Sequence, residues 1–217
     1  MIQRILRLLF PPKCVLCKRL LAKEETDFCH ECREKAPQFE KSAFKLSFVA
    51  GWTSVWYYKD MVRESILRYK FGRRRNYAQA YGRVLAMKLQ KEDKDDFDII
   101  AFVPVAFLRK MKRGYDQVAI LADALDRELN IPKVKALRKI RNTPPQSNIK
   151  DVARRRANVL GAYRCVDADT VRGKRVLLLD DVLTTGATAS ECARVLLTAG
   201  AKEVFLATLA VSEYNTK

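Results

Sequence analysis

Two adjacent carboxylates, Asp180 and Asp181, close an apolar run of strand length and precede a loop rich in threonine and glycine. At the carboxyl end of a parallel strand, such a loop exposes backbone N–H groups at a helix amino terminus, which suits a phosphate monoester. Two bare carboxylates would repel that phosphate, so they indicate acceptors for vicinal sugar hydroxyls or ligands of a cation; a solvated turn is the plainer alternative. We therefore expect a sugar-phosphate site formed by Asp180, Asp181, Thr184, Thr185, Gly186, Ala187 and Thr188.

Four of the six cysteines form two Cys-x-x-Cys pairs near the amino end, Cys14 with Cys17 and Cys29 with Cys32. Two such pairs can complete the tetrahedral four-sulfur shell that structural Zn²⁺ prefers. Two disulfides are the alternative, but the first residues lack the pattern of a secretory signal, and paired thiols in a reducing compartment are more often metal ligands. We expect a structural zinc ribbon in a cytoplasmic protein, with His30 outside the metal shell.

The charge of the chain indicates a polyanionic partner. Lysine and arginine number 42 against 25 aspartates and glutamates, which gives a formal net charge of +17. Around residues 63–75, cations alternate with aromatic rings, the combination that grooves for single-stranded nucleic acid use. We expect nucleic-acid contacts from Arg68, Tyr69, Lys70, Arg73, Arg74 and Arg75, with a solvated basic surface as the alternative.

The remaining pattern predicts the elements that position these residues. Residues 48–58 are aromatic and β-branched, which indicates a strand or hairpin. Further strands are predicted over residues 99–103, 133–137, 175–179 and 204–210, and helices over 60–71, 77–90, 118–129 and 188–199. We predict an α/β fold, a doubly wound and mostly parallel sheet, in residues 46–217, after an amphipathic amino terminus and small zinc ribbon in residues 1–45. Apolar runs are too short for a transmembrane segment.

Taken together, the motifs resemble the ComF family of competence proteins, whose members join a short zinc ribbon to a domain like the type I phosphoribosyltransferases. The resemblance rests on the cysteine pairs, the threonine-glycine loop, Arg113-Gly-Tyr-Asp-Gln117, and Thr143-Pro-Pro-Gln146 followed by Arg156-Ala-Asn158. It implies that the loop binds phosphoribosyl pyrophosphate (PRPP), accompanied by Mg²⁺. It also implies a role in DNA uptake during natural transformation, with single-stranded DNA and a DNA-uptake helicase as partners.

The same resemblance assigns two further groups of residues. It implies a pyrophosphate-facing loop that contains Val105, Arg109, Lys110 and Arg113, and a mobile flap that contains Thr143, Gln146, Arg154, Arg156 and Asn158. Asp116 stands where family members commonly have asparagine before the glutamine of their Arg-Gly-aromatic-x-Gln motif.

Whether the chain catalyses phosphoribosyl transfer is left open by its residues. Thr184 stands two residues before Gly186, where purine phosphoribosyltransferases often carry a carboxylate that acts as general base. Threonine is no general base at neutral pH, and the sole histidine, His30, lies in the ribbon. An active phosphoribosyltransferase with an unknown acceptor and a PRPP-sensing regulator are therefore the alternatives to a binding protein.

Overall fold

A computed structural model describes residues 11–40, 42–141 and 157–213. Its helices are α1 (His30–Lys35), α2 (Asp60–Phe71), α3 (Tyr77–Lys91), α4 (Phe107–Arg113), α5 (Gln117–Leu129) and α6 (Ala187–Thr198). Its strands are β1 (Gly51–Tyr57), β2 (Ile99–Phe102), β3 (Leu137–Lys139), β4 (Tyr163–Cys165), β5 (Arg175–Leu183) and β6 (Glu203–Val211).

The main sheet has four parallel strands in the order β1-β6-β5-β2, with the strongly apolar β5 and β6 at its centre. Side chains alternate between the two faces of β5, and both faces are covered, as the continuous apolar sequence requires. Leu177 and Leu179 pack with α2, α3 and α5, whereas Val176 and Leu178 pack with α6 and the antiparallel pair β3-β4. The predicted doubly wound α/β class is confirmed.

Residues 51–57 form a single strand that pairs in parallel with β6, so of the two predicted alternatives, strand or hairpin, the strand is confirmed. Three other features differ from the sequence-based expectations. β5 does not end at the acidic pair but continues to Leu183, because Val182 and Leu183 keep pairing with Ala210 and Val211. The basic turn after β2 is the helix α4, and the strand predicted over residues 133–137 begins only at Leu137.

The cysteine-rich segment packs directly against the sheet domain. Cys14, Leu16, Phe28 and Cys32 are buried in the same apolar cluster as Trp56 and the helices on that face. Phe28 meets Trp56 edge to face, with the ring centroids 5.8 Å apart. A segment this small cannot bury enough surface alone, so this shared core and the metal together account for its folding.

In the described residues, none of the helices has both the length and the apolar character needed to cross a bilayer.

Candidate functional site

The four cysteine sulfurs predicted to bind zinc lie together at the amino end. The Sγ atoms of Cys14, Cys17, Cys29 and Cys32 are all within 4.8 Å of one another. The His30 imidazole is turned outward, and its Nδ1 lies 3.5 Å from a carboxylate oxygen of Glu34. Four thiolates suit Zn²⁺ and leave no open position for a substrate, so the site fits a structural ion.

Two side chains of helix α2 donate hydrogen bonds to the turn between Cys14 and Cys17. Ser65 Oγ donates to the carbonyl oxygen of Val15 at 2.6 Å. Arg68 Nη2 donates to the same oxygen at 3.2 Å and also to the carbonyl oxygen of Leu16. The nucleic-acid role predicted for Arg68 is therefore wrong, because its partly buried guanidinium holds the ribbon.

A cavity of ≈ 820 Å³ opens at the carboxyl edge of the sheet, where β2 and β5 end side by side. It collects most of the residues that the sequence assigned to sugar phosphate and pyrophosphate. Its lining contains seven basic and two acidic side chains. The basic ones are Arg63, Lys70, Arg73, Arg109, Lys112, Arg113 and Lys139, and the acidic ones are Asp180 and Asp181. Among the described residues, the predicted Lys110 and Ala187 lie outside this lining. The cavity is suited to a small, highly charged anion.

The loop between β5 and α6 contributes Thr184, Thr185 and Gly186 to the cavity wall. Gly186 is the residue that precedes α6 and has a φ of 75°, a conformation that favours glycine. A Cβ there would lie 2.1 Å from Cδ2 of Leu46. The first N–H groups of α6 have no partner within the helix, so the loop presents an anion-binding amino terminus.

The two adjacent carboxylates point to opposite faces of the sheet edge, because they are consecutive in an extended strand. Asp181 is buried, and its Oδ1 lies 2.8 Å from Nζ of Lys70 in α2. Its Oδ2 accepts a hydrogen bond of 2.7 Å from Nε2 of Gln117. Lys70, predicted to contact nucleic acid, instead neutralises Asp181 inside the cavity.

Breaking this ion pair should destabilise the fold. We expect Lys70→Met to lower the free energy of unfolding by about 3 kcal/mol, because it leaves the Asp181 charge buried without its cation. The double variant Lys70→Met with Asp181→Asn should recover most of that loss, and urea denaturation of both proteins measures the difference. Equal losses in the single and double variants would show that the pair does not act through charge.

On the opposite face, Asp180 lies near Lys139 of β3 and Tyr163 of β4. Burial and the neighbouring Asp181 carboxylate raise the pKa of Asp180 well above its usual range. Burial and the nearby Arg109 guanidinium lower the pKa of Lys139 to about 8. The Lys139 ammonium also lies 5.2 Å from the centroid of the Tyr163 ring. Near neutral pH this face therefore holds two groups that can exchange protons with a ligand.

Asp116 positions the loop that follows β2. Its Oδ1 accepts hydrogen bonds of 3.1 Å from the backbone N–H groups of Val118 and Ala119, so it caps α5. Its Oδ2 accepts one of 3.3 Å from the N–H of Val105 in the predicted pyrophosphate loop. The three contacts use both carboxylate oxygens as acceptors, whereas asparagine would offer one oxygen and an NH2 donor, so aspartate suits this position.

Of the aromatic rings in the basic segment, Phe71 is exposed and Tyr69 is buried. Tyr69 is 0% exposed, and its hydroxyl donates to the carbonyl oxygen of Gln117 at 2.6 Å. The prediction that Tyr69 stacks on bases is therefore wrong. Phe71 and Phe107 are 65% and 69% exposed instead, and the Arg113 guanidinium covers Phe71 at 4.7 Å from the ring centroid.

Arg73, Arg74 and Arg75 are exposed, as a phosphate-binding run requires. Arg75 is partly engaged, since its Nη2 donates to the carbonyl oxygen of Gly114 at 2.6 Å. The predicted flap residues Thr143, Gln146, Arg154 and Arg156 lie outside the described residues. Asn158 is described, and its carbonyl oxygen accepts from Nη2 of Arg141 at 3.3 Å.

Sequence reasoning missed several residues of the cavity. Lys139 and Tyr163 come from a short antiparallel pair that carried no motif, and nothing in their spacing indicated a site. Gln117 and Phe71 lie in segments that the sequence does single out, the Arg-Gly-aromatic-x-Gln motif and the basic aromatic segment, but neither was assigned to the cavity.

Comparison with known proteins identifies both parts of the chain. Residues 82–216 match the family model of the phosphoribosyl transferase domain, and residues 5–43 match that of a double zinc ribbon domain. Competence protein ComFC of Bacillus subtilis (strain 168) is 29% identical over 147 residues, which are 68% of this chain and 58% of ComFC. DNA utilization protein YhgH of Escherichia coli (strain K12) is 30% identical over 181 residues, 81% of this chain and 74% of YhgH. The match thus spans less than two thirds of ComFC.

Two solved structures are similar to part of the chain. A glutamine PRPP amidotransferase from B. subtilis has a TM-score of 0.45 at 23% identity, covering 65% of this chain and 30% of that one. A purine phosphoribosyltransferase from Pyrococcus horikoshii has a TM-score of 0.41 at 21% identity, covering 64% of this chain and 77% of that one.

The zinc ribbon match and the cluster of four cysteines together support a structural zinc ion.

Proposed function

The chain belongs to the ComF family of competence proteins, with a phosphoribosyl transferase domain behind a zinc ribbon, and on that premise we propose that it is a DNA-uptake factor that binds PRPP and single-stranded DNA. The observation that supports the proposal is the basic cavity at the carboxyl end of β5, whose lining includes residues 184–186 together with Val105, Arg109 and Arg113. A cytoplasmic location and a DNA-uptake helicase as protein partner belong to the same proposal.

PRPP fits the cavity by charge and by position. The 5-phosphate is placed at residues 184–186, where the amino terminus of α6 favours an anion. The pyrophosphate is placed between the loop that contains Val105 and the guanidinium groups of Arg109 and Arg113, which line the same cavity. Mg²⁺ would enter with the pyrophosphate, since Lys70 already neutralises Asp181.

Single-stranded DNA is placed along the exposed run Arg73, Arg74 and Arg75, with Phe71 and Phe107 as the rings on which bases stack. Base stacking on an aromatic ring contributes about 1–3 kcal/mol per base without sequence preference, and the arginines neutralise backbone phosphates. The net charge of +17 exceeds what a ligand with a few phosphates requires.

Charge and stacking can be separated by mutation. Replacing Arg73, Arg74 and Arg75 with alanine should weaken single-strand binding at low salt and flatten its salt dependence, because fewer counterions are released. Phe71→Ala should weaken binding about tenfold with little change in that slope. Fluorescence anisotropy across a salt series measures both.

A matched control removes three exposed cations at the opposite end of the sheet, Arg172, Lys174 and Lys202. If this triple variant loses as much affinity as the arginine variant, the basic charge acts as a general surface property and the nucleic-acid role fails.

PRPP affinity should fall as the pH rises from about 7 to 9. Lys139 has a pKa of about 8, so it loses its positive charge in this range. Asp180, whose pKa is raised, turns negative as the pH increases, while the ligand phosphates are already ionised. Both changes disfavour an anion, and we expect a loss of about tenfold by calorimetry. Lys139→Met should flatten the profile; constant affinity would contradict the placement of PRPP beside these groups.

Phosphoribosyl transfer is the second candidate function, and Lys139 favours it. An amine with a pKa near 8 inside the cavity can take a proton from an acceptor, a role that the threonine-glycine loop does not supply. Incubation with PRPP and Mg²⁺, with and without single-stranded DNA, tests it. Release of pyrophosphate together with a phosphoribosylated acceptor, both lost in Lys139→Met, would establish transfer, whereas release with ribose 5-phosphate would show hydrolysis and binding without release supports a binding or PRPP-sensing role.

A further inference from the structure

The cavity and the exposed basic segment form one continuous surface. Arg73 belongs to both, since it lines the cavity and begins the exposed arginine run. Phe71 also lines the cavity while its ring is 65% exposed. A strand that follows the arginines therefore reaches the mouth of the cavity.

The inner end of this path suits a phosphomonoester carried by a pentose. The loop at residues 184–186 offers the amino terminus of α6. Gln117 is 3% exposed and lines the cavity, and its Oε1 accepts no hydrogen bond from the described part of the chain. A buried acceptor without a donor is costly, so this amide oxygen is available to a donor that a ligand brings, such as a hydroxyl.

The floor of the cavity does not repel a phosphate. Asp181 is neutralised by Lys70, with which it forms an ion pair of 2.8 Å. Burial beside Asp181 raises the pKa of Asp180, which favours the uncharged form of this carboxyl. The acids therefore leave the excess positive charge of the lining available to an entering anion.

We propose that the cavity also takes the 5′-phosphorylated end of a single DNA strand, and that this end and PRPP exclude each other. The inference rests on the proposed function, because it assigns that function's two ligands to overlapping positions. Both carry a phosphomonoester on carbon 5 of a pentose. The terminal phosphate lies at residues 184–186, the first base reaches Phe71, and the next phosphates follow Arg73, Arg74 and Arg75. Bound PRPP occupies the same loop and neutralises cations that the strand needs.

The test compares three otherwise identical oligothymidylates with an internal fluorophore: 5′-phosphorylated, 5′-hydroxyl and 3′-phosphorylated with a 5′-hydroxyl. We expect the 5′-phosphorylated strand to bind about tenfold more tightly than the other two, because its end gains charge-assisted hydrogen bonds. The 3′-phosphorylated strand carries the same added charge and controls for it. PRPP and ribose 5-phosphate should each displace the 5′-phosphorylated strand competitively.

Gly186→Ala, which disturbs the N–H groups at the start of α6, should remove the preference for the 5′ phosphate. Equal affinity for all three strands, or PRPP that binds without displacing the 5′-phosphorylated strand, overturns the inference and leaves the proposed function standing. If neither PRPP nor any strand binds better than it binds a basic control protein, the proposed function fails and the inference fails with it.

Discussion

Removing zinc is expected to cost the protein both its stability and its affinity for PRPP. Cys14→Ser should lower the thermal midpoint by about 10 °C or more, because structural zinc contributes much of the folding free energy of a small ribbon. The loss should spread beyond the ribbon, since Cys14 and Leu16 are buried in the core that contains Trp56 and α2.

The effect on PRPP follows from the position of α2 between the ribbon and the cavity. Ser65 and Arg68 hold the carbonyl groups of Val15 and Leu16, which lie between two zinc ligands. Lys70, two residues further along the helix, holds Asp181. Collapse of the zinc turn releases the helix that places Lys70, so PRPP affinity should fall about tenfold at a temperature where the sheet is still folded.

Three measurements test this prediction on the same protein: zinc content by elemental analysis, thermal unfolding by circular dichroism and PRPP affinity by calorimetry. Cys165→Ser is the matched control, because Cys165 lies outside the cluster of four sulfurs. Protein that is purified without chelator and contains no zinc would contradict the structural role of the metal. So would a Cys14→Ser variant that unfolds and binds like Cys165→Ser.

Gly186→Ala should weaken PRPP binding about a hundredfold. The added Cβ would clash with Cδ2 of the buried Leu46, and the φ of 75° is strained for any residue with a side chain. Relief of this strain moves the backbone at residue 186, so the N–H groups at the start of α6 no longer point at the 5-phosphate.

A variant of a second glycine distinguishes the effect of a damaged binding site from the effect of backbone strain alone. Gly173 has a φ of 70° and lies at the opposite end of the sheet, where an added Cβ would meet nothing within 4 Å. Gly173→Ala should therefore lower stability slightly and leave PRPP affinity unchanged, as measured by calorimetry and urea denaturation. Equal affinities for PRPP in the two variants would remove the 184–186 loop from the binding site.

The sheet and the phosphate loop could be predicted because their signals are local. Residues 176–179 form a continuous apolar run, and both faces of β5 are covered as that run predicts. The cysteine spacing likewise predicts the cluster of four sulfurs, because each pair needs one tight turn. The sequence predicts that β5 ends at the acidic pair, because two adjacent acids usually mark the end of a strand. In the structure β5 continues past them, and its last residue, Leu183, still pairs with Val211 of β6.

The charged contacts of the site join residues that lie far apart in the sequence, and the spacing of residues within one motif does not predict such contacts. Lys70 and Arg68 stand two residues apart in one basic segment, yet one turns to the cavity and the other to the ribbon. Tyr69 lies between them on the buried face of α2, so the helical period, rather than composition, decides which ring is exposed. Lys139 reaches the cavity because β3 pairs with β4, a strand distant in the sequence, and no local motif records such a pairing.

A crystal structure of the zinc-loaded protein with ribose 5-phosphate or PRPP tests the central claim most directly. We expect the 5-phosphate within hydrogen-bond distance of the backbone N–H groups that follow Thr184, with the ribose over Asp180 and Gln117. A ligand whose phosphate lies instead among Arg73, Arg74 and Arg75, with the loop at residues 184–186 unoccupied at saturating concentration, would contradict it.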